Sequence, residues 1–75
     1  MSRTFTAYIE FDRETGLYVG TIPGVAGAHS QGATLDELQQ NLREVLELIL
    51  EERASHGDSI EIQPFVGIQQ ITVDG

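Results

Sequence analysis

The stretch GAHSQGAT, Gly27 to Thr34, comes within one position of a phosphate-binding loop. Such a loop reads G-x-x-x-x-G-K-[ST]; its backbone amides cradle phosphate oxygens and its lysine reaches the β- and γ-phosphates. Gly27, Gly32 and Thr34 fit, but Ala33 stands where the lysine belongs. A working loop must also join a buried parallel strand to a helix N-terminus. Here the preceding strand would be very short, and the order of elements points to an antiparallel sheet. The stretch lacks both the charge and the setting for phosphate. Its glycines are read as the means of turning sharply into a helix start at Thr34.

The carboxylates are the next candidates. Glu10 and Asp12 lie two apart, so a strand would present both on one face. With Asp36 or Glu37 they could form the kind of cluster a metal-dependent hydrolase requires. A simpler role is at hand for each: Asp36 and Glu37 offset a helix dipole, and Glu10 and Asp12 are solvated. Nothing in the spacing is specific to a metal. His29 in the glycine-rich turn and His56 beside a helix stop have no partner at a metal-binding interval, and the chain has no cysteine. Ser30 and His29 are adjacent, so a strand would point them in opposite directions. The chain is therefore expected to be non-enzymatic, with no catalytic residue, cofactor or metal.

Charge says more than any motif. Twelve acidic residues against four basic ones give a formal net charge of −8 at pH 7. That field repels phosphate backbones, so direct nucleic-acid binding is not expected. It attracts basic surfaces, including those of proteins that bind nucleic acid. The 75 residues allow a single small domain over residues 1–75. A domain of this size buries a modest share of its surface and has no disulfide to compensate, so pairing with another chain is a natural source of stability. No apolar run approaches the roughly 20 residues of a membrane span, and the N-terminus carries no signal-peptide pattern. A soluble, cytoplasmic protein is expected.

The elements that would position these residues can be read from periodicity. In RTFTAYIEFD the residues Phe5, Ala7, Ile9 and Phe11 alternate with Thr6, Tyr8, Glu10 and Asp12. A polar turn ends at Gly16 and LYVGTI resumes a strand, so Arg3 to Ile22 reads as a hairpin. Pro23-Gly24 breaks the second strand, and Ala28 to Gln31 suits a short third one. Thr34 and Glu37 have capping-box spacing. Leu35, Leu38, Leu42, Val45, Leu46 and Ile49 then form an apolar stripe at helical spacing, with Gln40, Glu44, Glu47 and Glu51 opposite, and Gly57 suits a stop. After Pro64, FVGIQQITV reads as a last strand. The result is an α+β domain, a small antiparallel sheet with one helix in the order β-β-β-α-β. Leu48, Leu50, Val66 and Ile68 exceed what one helix on one sheet covers, so they are expected at an interface in a dimer or larger oligomer.

The order GLYVGTIPGV, SQGATLDEL, NLREVLELILEE resembles the HicB family of antitoxins. The matching positions are Tyr18, Val19, Pro23, Gly24, Gly32, Thr34, Glu37, Asn41 and Leu42. The likeness covers nearly the whole chain; Ala33 stands where the family pattern has an acidic residue, and PGVAGAHSQG matches loosely between its anchors. The resemblance implies a truncated ribonuclease H-like fold without nuclease activity. It also implies a partner toxin, HicA, a small basic ribonuclease built like a double-stranded-RNA-binding domain. Many family members carry a further DNA-binding domain, which is not expected here, since the sequence ends at Gly75. On this reading Glu10, Asp12, Glu44, Glu47 and Glu51 would face the toxin. The alternatives are a stand-alone oligomer of the same fold and, less favoured, a small metal-dependent hydrolase using Glu10, Asp12 and Asp36.

Overall fold

A computed structural model describes residues 3–57 and 66–75. Three strands, β1 (Tyr8–Asp12), β2 (Leu17–Thr21) and β3 (His29–Gly32), precede one helix, α1 (Leu35–Ser55). The strands form an antiparallel sheet in the order β1-β2-β3. The expected small α+β domain, three antiparallel strands followed by a helix, is thus present.

The hairpin is shorter than the alternation from Arg3 suggests. Tyr8 opposite Thr21 is the last pair. Beyond Thr21 the chain turns away: the Ile22 amide donates to the Ala28 carbonyl at 2.8 Å, and Pro23 has no amide to offer. Residues 3–7 are left without ladder partners, although Phe5 and Ala7 still pack on the core. At the other end Gly16, at φ 73, closes the turn by donating to the Asp12 carbonyl at 2.8 Å.

The buried core consists of Ile22, Val25, Ala28, Leu38 and Leu42. Three of these five lie in the loop between β2 and β3. Tight turns fold that loop inward, with Val25 donating to the Ile22 carbonyl at 3.3 Å and Ala28 to that of Val25 at 3.1 Å. From above, α1 lays Leu38 and Leu42 against β2 and β3, with Leu46 and Ile49 alongside. Leu35, assigned to the same stripe by its spacing, is instead half out in solvent.

The helix starts where the capping signal places it. Thr34 sits in extended backbone and its Oγ1 accepts a hydrogen bond from the Glu37 amide at 3.0 Å. At the other end His56 is the C-cap, and Gly57, at φ 74, donates to the Ala54 carbonyl at 3.1 Å. Thr34→Ala is expected to cost about 1 kcal/mol, the usual loss for a threonine cap. Chemical denaturation reads this directly, and an unchanged midpoint would remove the capping role.

The last strand expected from Pro64 and FVGIQQITV is not formed. Pro64 and Phe65 lie outside the described residues, while Val66 to Gly75 have no regular secondary structure and are exposed. The alternation of apolar residues is a genuine strand signal, but a strand exists only as part of a ladder. Among the described residues of one chain, no edge pairs with this segment.

Candidate functional site

The helix presents a continuous acidic face. With 3.6 residues per turn, the buried Leu38 and Leu42 fix the inward side. Asp36, Glu37, Gln40, Glu44, Glu47 and Glu51 fall on the side turned outward, and all are exposed. From Asp36 to Glu51 this stripe runs about 22 Å along the axis. No lysine or arginine interrupts it; Arg43 stands on one flank, and Arg53 lies with Ile49 and Ala26 on the side turned to the domain. Within it the Gln40 side-chain amide donates to Glu44 Oε1 at 3.3 Å.

Stability alone does not account for the stripe. Asp36 and Glu37 at the first turn suit the helix dipole, but Glu51 and Glu52 near the last turn oppose it. Glu47 and Glu51 are like charges four apart, a spacing that costs a few tenths of a kcal/mol where alternating signs would gain as much. A face tuned only for helix stability would place lysines there.

The orientation of the stripe is set from below. The Asn41 side-chain amide donates to the Gln31 carbonyl at 2.7 Å, tying α1 to β3. Gly32 lets the helix come close: a Cβ there would lie 2.5 Å from the Leu38 nitrogen. A Cβ on Gly20 would meet Leu42 at 2.9 Å and Leu38 at 3.2 Å. The two glycines and the Asn41 bond fix how the helix sits and therefore which residues face outward.

The strand carboxylates do not join this stripe. Ile9 pairs with Gly20, whose open side faces the helix, so Glu10, paired with Val19, points to the opposite face of the sheet. Asp12 serves its own turn: its Oδ1 accepts from the Glu14 amide at 3.0 Å. Glu10, Asp12 and Asp36 are not brought together, and among the described residues no three acidic or histidine side chains converge as a metal site. His56 is used locally, its Nδ1 lying 2.9 Å from the Glu52 carbonyl oxygen. Leu48 is 66% exposed and Leu50 lies half-buried.

One feature of the surface has no counterpart in the sequence pattern. A groove of about 770 Å³ runs between the first strand and the helix, floored by Ile22, Leu38 and Leu42 and rimmed by Arg3 and Arg43. Arg3 lies over the Phe5 ring, 5.3 Å from its centroid. The two arginines are 40 residues apart in the sequence, and only the packing of the helix across β2 and β3 makes them neighbours of one groove. No described helix is long and apolar enough to cross a membrane.

Comparison with known proteins places this geometry in a family. Residues 5–61 match the family described as UPF0150-like. A UPF0150 protein of Thermotoga maritima is 49% identical over 72 residues, covering 96% of this chain and 92% of that protein. A UPF0150 protein of Synechocystis is 46% identical over 69 residues, 92% of this chain and 93% of the relative. One from Archaeoglobus fulgidus is 38% identical over the same length, with the same coverage. No solved structure matches the chain.

Proposed function

The chain belongs to the UPF0150-like family, and from that footing we propose that it is a non-enzymatic, antitoxin-like binding module that covers a small basic ribonuclease of the HicA type. The observation that carries this reading is the outward face of α1, an uninterrupted acidic stripe kept at some cost to the helix itself. A ribonuclease must carry a basic surface to hold its substrate. A rigid acidic ridge about 22 Å long competes for that surface by offering carboxylates where the substrate would offer phosphates. The HicB-like order of motifs, from the PG turn at Pro23-Gly24 to the Thr34 and Glu37 helix start, favours the same assignment.

Binding of this kind begins with long-range attraction. The net charge of −8 raises the local concentration of a basic partner, and the stripe orients the encounter. Glu44, Glu47 and Glu51, on the middle and later turns, are the central contacts; Glu10, on the far face of the sheet, adds to the field without sharing their interface.

The test is to mix the purified chain with a HicA-type ribonuclease and measure both complex formation and RNA cleavage. The reading expects a one-to-one inhibitory contact whose association slows as salt rises. The rival, a stand-alone oligomer of the same fold, expects no complex even at low ionic strength, and that result would end the antitoxin reading.

A further inference from the structure

The segment Val66–Val73 and the groove beside β1 are each incomplete, and each supplies what the other lacks. β1 is an edge strand, paired only with β2. Its helix-facing side chains, Ile9 and Phe11, are 46% and 53% exposed because α1 packs over β2 and β3 and leaves β1 uncovered. Ile9 borders the groove, with Phe5, Ala7 and Leu46 along it, while Phe11 packs against Tyr18, ring centroids 5.0 Å apart. The segment has no regular structure and no ladder partner, and its Val66, Ile68, Ile71 and Val73 are between 71% and 96% exposed. As a strand it would carry Ile71 and Val73 on one face and Val66 and Ile68 on the other, yet among the described residues of one chain it pairs with no edge. A free edge beside an apolar groove and an apolar strand without a sheet are two halves of one ladder.

We propose that the groove of one copy is filled by the segment Val66–Val73 of a second copy, which adds to the β1 edge as a fourth strand, so that two chains exchange these segments reciprocally. Several features of the molecule select this occupant. A basic occupant is disfavoured, since Arg3 and Arg43 against the single carboxylate of Glu47 leave the lining net positive. The segment brings no basic residue against them, and Asp74 follows it directly. The helix leads away from the sheet as well: 21 residues span about 31 Å against about 17 Å for a five-residue strand. The radius of gyration, 14.6 Å, also exceeds the roughly 11 Å of a compact chain of this length. The exchange removes both exposed apolar surfaces and closes an aggregation-prone edge at once. It does not rest on the antitoxin reading: it uses the sheet edge and the groove, whose lining shares only Glu47 with the acidic stripe.

The test needs no second protein. Equal amounts of isotope-labelled and unlabelled full-length chain are mixed, unfolded and refolded together, and contacts between labelled and unlabelled copies are recorded by filtered NMR. The expected result is contact between the Ile71 and Val73 methyls of one copy, which share a strand face, and Ile9, Phe5 or Leu46 of the other. In parallel, the double variant Ile71→Asp, Val73→Asp is examined by sedimentation and circular dichroism. Both positions lie in solvent in the single chain, so its helix signal should be unchanged, while the dimer Kd should rise by a factor on the order of 100 through burial of two charges. Contacts confined to one chain, no contacts from the segment, or a double variant that dimerises as tightly as the parent would each overturn the proposal.

Discussion

Gly32→Ala is expected to destabilise the domain by about 3 kcal/mol, the upper end of what forcing a single methyl into a packed site costs. The methyl would sit 2.5 Å from the Leu38 nitrogen, 2.9 Å from its Cα and 3.0 Å from the Glu37 carbonyl carbon. All three are backbone atoms, so no rotamer change relieves the contact; the first turn of α1 must lift off β3. That movement also strains the Thr34 cap and the Asn41 bond to Gln31, because both depend on the same spacing. A small domain has only about 5 kcal/mol to lose, so the variant should be partly unfolded at moderate temperature. Gly27→Ala is the control. That glycine is at φ 81 with nothing near its missing side chain, so alanine there meets only the backbone penalty, about 1–2 kcal/mol. Denaturation of both variants decides the matter: if Gly32→Ala is the milder of the two, close packing of helix on strand is not what that glycine provides.

Reversing the charge of Glu44 and Glu47 to lysine is expected to slow association with a basic ribonuclease by about tenfold while leaving the fold intact. Both side chains are exposed on the outward face of α1, where substitutions usually change stability by under about 0.5 kcal/mol. Their effect on association is larger, because steering depends on the summed field and here two centres of attraction become two of repulsion. The salt dependence should flatten together with the rate, since fewer favourable charges are left to screen. Stopped-flow kinetics across a salt series reads both. An association rate insensitive to salt and to the double reversal would leave the stripe with solubility as its role.

The parts of this fold that sequence reading reached are those governed by short-range rules. Thr34 and Glu37 announced the helix start because a cap is local chemistry, and the leucine stripe fixed the inward face because 3.6-residue periodicity does. The acidic face followed as its complement. The loop from Ile22 to Ala28 was hidden for the opposite reason. Its buried Ile22, Val25 and Ala28 recur every three residues through successive turns, a spacing that fits neither a strand nor a helix template. Glu10 looked like a companion to the helix carboxylates until the pairing of Ile9 with Gly20 set which face it occupies. Val66 to Val73 carry a true strand pattern, but pattern measures fitness for a sheet and does not name the partner strand. The groove between Arg3 and Arg43 belongs to packing alone.

The strictly sequential order of the sheet has a consequence in time. Each strand pairs with its neighbour in the chain, β1 with β2 and β2 with β3, and α1 then returns onto the last two. Every one of these closures spans a short loop, so little chain entropy is lost before contacts compensate for it, and such local topologies fold in milliseconds or less. A ladder completed by another molecule follows a different clock, because it waits on encounter and slows in proportion as the protein is diluted. The body of the domain would therefore form long before its last strand finds an edge. Newly made protein would pass through a folded, single-chain stage whose lifetime is set by how much of it the cell contains.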